Sequence, residues 1–509
     1  MNEKRLRIYT PKKINMARCI GFAMVDMNGG AWGTLVGTYL MFFLTTFAGL
    51  TAGETGIMLA TGKILDIFVC MFIGSLSDNL FKTKLGRRFG RRHLLLFAGA
   101  FIILVFFPML FFVVPGAFLY YFIAYFMIDT GNAVIGIAYE TLPTEMTPDA
   151  QKRVKLSSVR LFVSAFATFS VTALPAILLN YLGEKTASAY TISGIVFGIT
   201  FAIATLITYF STWEFSPEYV TEFENKDPKP KTSISETIID AIAVYGKVLK
   251  TRSVRVICTI YFLSYFAKDC YGTAFLYFVV CTLGISQTTG QAVLSLSFIG
   301  MIVVPIAGVI MYKTGPRILW SISYTIILCL LLVYGATYTL HIQFDTTSAT
   351  IFLIILGIFW QIGRQLMEFT PWNVIPLVPD VDTLVSTKLR AGAFAAVQTF
   401  TRRATGALGT MLVGFILDWG GYIPKQVEQT QEAKNAILIV FIAIPFILIA
   451  ICFWMILHFN LNQKTHKIIK TEIDRLKNGG LKTDVDTKTK VITEDLTGYK
   501  YSDIWNPEN

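Results

Sequence analysis

The feature that most constrains this chain is a series of twelve apolar runs, each long enough to cross a lipid bilayer. A membrane-spanning helix needs about 20 predominantly apolar residues. Charged residues make up only 15% of the 509 residues, against about 25% in soluble proteins, and they collect between the runs. The pattern predicts an all-α membrane protein with spans at residues 18–48, 54–80, 94–114, 117–141, 158–180, 189–212, 254–282, 288–312, 318–341, 349–369, 391–417 and 435–459.

The longest internal polar stretch divides these runs into two sets of six. This division predicts two six-helix halves joined by a linker and followed by a polar tail that contains a short amphipathic helix near 468–476. The predicted boundaries are 1–212 for the first half, 213–252 for the linker, 253–460 for the second half and 461–509 for the tail.

Lysine and arginine residues are distributed unevenly among the connections. They are abundant in the N-terminal segment, in the connection 81–93 and around 152–155, whereas the turns near 50–54 and 114–117 carry none. Basic connections remain in the cytoplasm, so both termini are expected there, in a multi-pass protein of the cell inner membrane. This topology also accounts for the net charge of +11, and no nucleic-acid partner is expected.

The residue types needed for catalysis or metal binding do not form recognisable sets. The seven cysteines lie in or beside apolar runs without metal-ligand or redox spacing, so they are predicted to be buried free thiols. No run carries a His-rich set or a Ser/His/Asp set. The sequence therefore predicts neither an enzyme nor a metal site, and no cofactor.

Ionisable residues occur inside many of the predicted spans. Because a charge in the bilayer is costly, each is a functional hypothesis by default, although structural ion pairs and snorkelling side chains are the alternative. A passage lined with both signs suits a polar solute with many hydroxyl groups. The residues are Asp26, Lys63, Asp66, Asp129, Glu140, Arg160, Lys268, Asp269, Arg364, Glu368, Arg402 and Arg403.

Helical spacing predicts how some of these side chains are arranged. Lys63 and Asp66 are three residues apart and Arg364 and Glu368 are four apart, so each pair shares a helix face. Lys268 and its neighbour Asp269 are expected to point in different directions. Trp32 and Trp372 are candidates for stacking on sugar rings, with packing in the interfacial belt as the alternative.

An internal repeat supports the division into halves. Gly74-S-L-S-Asp78 is followed by a basic turn, and Gly308-V-I-M-Tyr312 is followed by another. Both copies resemble the signature between the second and third helices of each half in the major facilitator superfamily. The resemblance predicts a conformational latch, in which Tyr312 replaces the expected acid, formed by Gly74, Asp78, Arg87, Arg88, Gly308, Lys313 and Arg317.

From about residue 15 to 460 the sequence resembles the glycoside–pentoside–hexuronide:cation symporter family, the melibiose-permease branch of that superfamily. The likeness rests on five stretches, which begin at Asp26-M-N-G-G, Lys63-I-L-Asp66, Tyr139-Glu140-T-L-P-T-Glu145, Asp380-V-Asp382 and V-Q-T-F-T-Arg402-Arg403. The resemblance implies two six-helix halves around a central cavity. It also implies transport of a sugar or glycoside together with H⁺, Na⁺ or Li⁺.

Carried over by position, the resemblance assigns cation coupling to Asp66, the first acid of the family's helix-two motif, and to Arg403, with Lys63 nearby. The Asn and second acid of that motif are Val69 and Cys70 here. Two carboxylates suit a desolvated Na⁺ and one suits a proton better, so H⁺ coupling is favoured over Na⁺ coupling, and uncoupled transport remains an alternative.

The same resemblance leaves the substrate open. The two acids that the branch uses on galactosides fall at Gly30 and Gly136, so Asp26, one turn away, is expected to substitute. A sugar, glycoside or uronide-type oligosaccharide is predicted as substrate, handled by a monomer, with a lysolipid or peptide carrier as the alternative. The predicted substrate-binding residues are Asp26, Trp32, Asp129, Arg160, Asp269, Arg364 and Trp372.

Overall fold

The computed structural model describes residues 7–147, 149–184, 186–218, 249–340, 345–387, 391–426 and 428–505, and within those ranges all regular structure is helical. Twelve long helices, named α1 to α12 in chain order, confirm the predicted architecture. They are Met16–Ala48, Ala52–Asn79, Arg91–Leu110, Phe118–Met146, Ala150–Leu182, Ser188–Ser211, Arg252–Tyr277, Gln287–Thr314, Pro316–Thr339, Thr346–Val374, Ala391–Trp419 and Gln431–Leu457. In the described part of the chain, nine ranges are long and apolar enough to cross a membrane by length and composition alone.

The two halves repeat one packing scheme. In the first half α1 packs on α5 and α6, and α3 packs on α4 and α6; in the second half α7 packs on α11 and α12, and α9 packs on α10 and α12. Across the halves, α2 packs against α11, α5 against α8 and α1 against α7. Because the number of spans is even, both ends of the bundle lie on one face, here called the terminal face, and the opposite face is called the loop face.

Two glycines set the distance between the halves where α2 crosses α11. A Cβ atom on Gly414 would lie 2.4 Å from the backbone oxygen of Ala52, and one on Gly56 would lie 2.9 Å from that of Thr410. Small residues at a crossing point let membrane helices approach backbone to backbone. The halves therefore meet here with no room for a side chain.

Several helices depart from α-helical winding. Helix α1 contains π turns at Val36–Leu40 and Leu44–Ala48, and α7 continues into a π turn at Phe278–Thr282. Helix α8 is interrupted by a 3₁₀ turn at Leu296–Ile299. A further π turn lies in α12 at Ile439–Ala443. Such irregular turns often mark functional positions in helices, and the four in α1, α7 and α8 lie in helices that meet the opposite half.

The beginning of the linker is fixed to the first half by two buried glutamates. Glu214 accepts hydrogen bonds from the backbone nitrogens of Arg91 (2.6 Å), Arg92 (2.8 Å) and His93 (3.1 Å), so it caps the N-terminus of α3. Glu145 pairs with the Arg91 and Arg92 side chains at 2.9 and 3.2 Å. A carboxylate at a helix N-terminus satisfies donors that the helix itself leaves unpaired. Residues 219–248 of the predicted linker lie outside the described residues.

Replacing Glu214 with alanine is expected to destabilise the first half by about 2–4 kcal/mol, because three buried backbone donors and the His93 ring lose their acceptor. The measurement is the thermal unfolding midpoint of the detergent-purified protein. Glu218→Ala, four residues further along the same segment, serves as a control. An unchanged midpoint in Glu214→Ala would show that the cap contributes nothing.

The tail forms two helices, α13 (Gln463–Lys477) and α14 (Thr487–Thr497), and α13 contains the amphipathic segment expected near 468–476. Both pack on a short helix, Val378–Ser386, between α10 and α11. Asp495 forms an ion pair with Arg252 at the start of α7, and Ser253 Oγ donates to the Leu496 carbonyl at 2.5 Å. Burial raises the pKa of Tyr501 to about 12, so its phenol keeps the proton that it donates to Glu472. The described tail is therefore attached to the second half.

Candidate transport site

A cavity of about 810 Å³ lies between the two halves. This volume is within the range of about 300–1,000 Å³ that is typical of small-molecule sites. The wall from α1 and α5 consists mainly of small residues: Gly30, Gly33, Thr34, Gly37, Thr38, Ser158, Ser164, Ala165 and Thr168. The wall from α7, α10 and α11 carries charged and aromatic residues: Lys268, Asp269, Trp360, Arg364, Glu368, Trp372 and Arg402.

The charged residues of the second wall form one connected network. Arg402 donates to both carboxylate oxygens of Asp269, at 2.6 and 3.1 Å. Lys268 Nζ lies 3.1 Å from Glu368 Oε1 and 3.6 Å from Asp269 Oδ1, and Arg364 Nη1 lies 4.0 Å from Glu368 Oε1. Three of the predicted substrate-binding residues, Asp269, Arg364 and Trp372, thus line the cavity.

The expectation that Lys268 and Asp269 point in different directions is wrong. Adjacent residues on a helix leave the backbone about 100° apart, but a lysine stem is long enough to bring its ammonium group back toward its neighbour. Lys268 Nζ also lies 4.9 Å from the ring centre of Tyr265. The ammonium is therefore held among two carboxylates and an aromatic face.

An ion pair between Asp66 of α2 and Arg403 of α11 joins the two halves near the middle of both helices. The Cys70 thiol lies one turn from Asp66 and contacts both partners, at 3.6 Å from Asp66 Oδ1 and 3.2 Å from Arg403 Nη2. By the resemblance, Cys70 falls at the position of the second acid of the helix-two cation motif. Breaking this single ion pair therefore removes a direct contact between the two halves.

Lys63 does not pair with Asp66, although the two share a helix face. Its ammonium group has no carboxylate within 4.0 Å among the described residues. It lies instead beside Gly406 of α11, where a Cβ atom would be 2.7 Å from Nζ. Lys63 therefore lies close to the α2–α11 contact without a direct ion pair in the described part of the chain.

Asp129 and Trp32 form a buried pair inside the first half, and neither is among the cavity-lining residues. The indole nitrogen of Trp32 donates to Asp129 Oδ1 at 2.7 Å. The Tyr125 hydroxyl lies beside the same carboxylate. Trp32 packs against Tyr125 with ring centres 5.6 Å apart, so its faces are occupied by neighbouring aromatics.

Asp26 and Arg160 belong to a second cluster, near the terminal face of the first half. Arg160 Nε lies 2.6 Å from Asp26 Oδ2, and its Nη2 lies 2.6 Å from Glu140. Tyr139 donates to Asp26 at 2.9 Å. The cluster ties α1, α4 and α5 together, and neither Asp26 nor Arg160 is among the cavity-lining residues, although Arg160 adjoins Leu161, which is.

The two glycines that replace the branch's galactoside-binding acids differ in their surroundings. A Cβ atom on Gly30 would lie 2.4 Å from Ser164 Oγ and 2.6 Å from the Ser164 backbone oxygen, so no larger side chain fits there unless α5 moves. Nothing lies within 4 Å of a Cβ atom on Gly136. Gly30 therefore allows α1 and α5 to pack closely.

On the loop face the halves are joined by two equivalent contacts, in each of which a carboxylate accepts hydrogen bonds from backbone nitrogens of the other half. Asp418 at the end of α11 accepts from the Gly53 nitrogen at the start of α2, at 2.7 Å. Glu184 after α5 accepts from the nitrogens of Gln287 and Thr288 at the start of α8, at 2.9 and 2.7 Å. In both cases a carboxylate at or just beyond the C-terminal end of the fifth helix of one half caps the second helix of the other half.

Further contacts complete this closure. Thr45 and Tyr277 are hydrogen-bonded at 2.7 Å between α1 and α7, and the Tyr190 hydroxyl accepts from Gln291 at 3.1 Å. The cavity-lining residues extend in the other direction, to Ser158 and Trp372 near the terminal face. The described structure is thus closed on the loop face, and its cavity extends toward the terminal face.

The predicted latch residues lie at the terminal-face ends of α2 and α8. Arg87 Nε donates to the Phe81 carbonyl at 3.1 Å, and the Arg88 guanidinium lies 5.4 Å from the Phe89 ring centre. Tyr312 is 76% exposed, and it is followed by Lys313 and Arg317. The surroundings of Gly74 and the side chain of Asp78 lie outside what the structure describes, so the latch stays a prediction.

Several site residues were not predicted from the sequence. Glu184 and Asp418 accept hydrogen bonds from backbone nitrogens. Every residue except proline has such a donor, so the sequence does not indicate which residues are the partners. Ser297 and Gln361 line the cavity but carry no charge, so the cost of burying a charge in the bilayer, which singles out ionisable residues, does not identify them. The 3₁₀ turn that contains Ser297 was also not predictable, because residues 291–299 contain no Pro or Gly that would indicate a break in the helix.

A bundle of two repeated six-helix halves, with a mixed-charge cavity between them, defines a membrane transporter. Residues 21–463 match the family described as MFS/sugar transport protein. The chain therefore belongs to this family, which confirms both the predicted fold class and the prediction that the protein is a transporter and not an enzyme.

Individual relatives agree with this assignment. The chain is 24% identical over 469 residues to the uncharacterized symporter YnaJ of Bacillus subtilis, covering 91% of this chain and 96% of the relative. It is 23% identical over 475 residues to a glucuronide carrier protein homolog of Escherichia coli, covering 92% and 97%. The crystal structure of a D-xylose–proton symporter shares the fold, with a TM-score of 0.57 at 13% identity, covering 86% of this chain and 96% of that structure.

Proposed function

We propose that the chain imports a sugar or glycoside across the cell inner membrane by alternating access, coupled to H⁺. The observation that carries the proposal is the Asp66–Arg403 ion pair, which joins the two halves beside a cavity lined by both. In transporters of this kind the halves rock around a central site near the bilayer midplane. A titratable link between the halves is therefore placed where proton binding can alter the rocking equilibrium.

The chemistry around Asp66 favours a proton over Na⁺. Hard cations prefer several oxygen ligands, whereas the side chains that bond to Asp66 in the described part of the chain are a thiol and a guanidinium. Protonation of Asp66 removes its negative charge, and Arg403 then loses its ion-pair partner. The link between α2 and α11 weakens, so proton binding and reorientation of the halves become coupled.

The cavity favours a carbohydrate over a lipid. One wall offers small residues against which a flat ring can lie, and the other offers charged groups with the exposed indole of Trp372. Among the relatives, one is named an isoprimeverose transporter, from Lactiplantibacillus pentosus, and another a glucuronide carrier homolog.

The Lys/Arg distribution supports a cytoplasmic terminal face, and the cavity then extends toward the cytoplasm in this conformation. The experiment for orientation places a single cysteine at Lys84, in the basic connection, in a background without other reactive cysteines. A membrane-impermeant maleimide is expected to label it in inverted vesicles only. Labelling in intact cells would show the opposite orientation, with the terminal face outside the cell.

The function is tested by counterflow in proteoliposomes. Vesicles preloaded with an unlabelled mono- or disaccharide are expected to take up the same radiolabelled compound transiently when the protein is present, and liposomes without protein are the control. For the transported sugar, an inward-directed proton gradient is expected to drive accumulation. A sodium gradient at constant pH is expected to drive none. Absence of counterflow across a panel of pentosides, hexosides and uronides would contradict a sugar transporter, and Na⁺-driven accumulation would contradict H⁺ coupling.

A further inference from the structure

A cluster of polar groups with unused hydrogen-bonding capacity lies where α8 and α10 meet on the cavity wall. Ser297 belongs to the 3₁₀ turn that interrupts α8, and Gln361 and Arg364 are about one turn apart on α10. All three residues line the cavity. The irregular turn thus presents a hydroxyl group to the same part of the cavity as an amide and a guanidinium.

The polar atoms of this cluster lack partners in the described chain. Ser297 Oγ, Gln361 Oε1 and Arg364 Nε are buried and bond to no described group, and Gln361 is only 4% exposed. Buried polar atoms are almost always hydrogen-bonded, because each unpaired group destabilises the protein. Three unpaired atoms on one stretch of cavity wall are therefore better explained by a ligand than by packing.

Arg364 is also the least neutralised cation in the cavity. Arg402 and Lys268 each have a carboxylate oxygen within 3.1 Å, whereas the nearest one to Arg364 is at 4.0 Å and belongs to Glu368, which already contacts Lys268. Three cations on this wall face two carboxylates, which leaves one positive charge. A guanidinium fork binds a carboxylate through two parallel hydrogen bonds.

We propose that Arg364, Gln361 and Ser297 form a subsite for a carboxylate group on the transported glycoside. The guanidinium nitrogens of Arg364 receive the carboxylate, the Gln361 carbonyl accepts from a neighbouring sugar hydroxyl, and Ser297 Oγ bonds to another. This inference rests on the proposed function and deepens it, since it names an acidic glycoside as the preferred substrate class over its neutral counterpart.

The test uses matched glycosides that differ only at one carbon. Methyl β-D-glucuronide is compared with methyl β-D-glucoside, and methyl β-D-galacturonide with methyl β-D-galactoside, by counterflow and by binding to the purified full-length protein. The wild-type protein is expected to bind the acidic member of a pair more tightly. Arg364→Gln is expected to weaken the acidic member roughly 10- to 100-fold and to leave the neutral member nearly unchanged, and Arg364→Lys is expected to restore part of the preference.

Two further variants keep the test informative if Arg364→Gln does not fold. Gln361→Glu places a negative charge beside the subsite, so it is expected to weaken the acidic member selectively. Arg255→Gln removes an exposed arginine of the same half outside the cavity and is expected to change neither member. The proposal is overturned if the wild-type protein prefers the neutral members, or if Arg364→Gln weakens both members equally. Transport of neutral sugars alone would overturn this inference and leave the proposed function intact, whereas transport of no sugar would overturn both.

Discussion

Replacing Asp66 with asparagine is expected to abolish accumulation of the transported sugar against its gradient, while exchange of sugar across the membrane continues. Asparagine retains the shape and one acceptor oxygen of Asp66, so it still receives a hydrogen bond from Arg403. It cannot take up a proton, and the link between α2 and α11 then has the same charge state in every step of the cycle. Without proton binding, substrate moves only down its own gradient.

The measurement compares steady-state accumulation under an inward proton gradient with counterflow at equal pH, in the same proteoliposomes. Glu54→Gln is a suitable control, because Glu54 is an exposed carboxylate at the start of the same helix and glutamine preserves its capping interaction. The control is expected to accumulate sugar like the wild-type protein. Concentrative uptake by Asp66→Asn at the wild-type level would refute the coupling role of this residue.

Removing the two carboxylates that cap helices of the opposite half is expected to open the loop face. Glu184 and Asp418 each hold an interhelical contact between charge and backbone N–H groups. Each contact contributes about 1–2 kcal/mol to the closed state. The double variant Glu184→Ala/Asp418→Ala therefore shifts the equilibrium roughly 30- to 700-fold toward the conformation that is open on the loop face.

The shift is measured as a distance distribution between spin labels at Thr186 and Gln426, which are exposed loop-face positions in opposite halves. The double variant is expected to populate longer distances than the wild-type protein. Each single variant should give a smaller change of similar size, because the two contacts occupy equivalent places in the two halves. Glu432→Ala removes an exposed carboxylate at the start of α12 and serves as the control. Identical distributions in the double variant and the wild-type protein would eliminate this account of the closed face.

The helices were predictable because their cause is local. A run of apolar residues longer than the bilayer core forms a spanning helix whatever surrounds it. The predicted ends were less accurate: α4 continues to Met146 and α5 begins at Ala150, beyond the apolar runs. Polar segments at a membrane surface can remain helical, so the end of an apolar run does not mark the end of its helix.

The pairing of charges was only partly predictable. Helical spacing shows that Lys63 and Asp66 share a face, but it does not show which residue of another helix stands opposite. The resemblance to a known family supplied that information by placing Asp66 and Arg403 at one cation site, and the structure shows the pair in contact. For Asp26 and Asp129 no such correspondence existed, and these residues lie in clusters outside the cavity lining.

Two π turns, at the loop-face ends of α1 and α7, lie at the contact that closes the loop face. A wider turn that returns to α-helical winding re-aims the residues next to it by about 100° each. The gate bond between Thr45 and Tyr277 lies within one of these turns and directly beside another. A change of winding at these turns would therefore re-aim Thr45 and Tyr277 without displacing the rest of α1 and α7, so that the loop-face entrance and the rocking of the halves need not move as one piece.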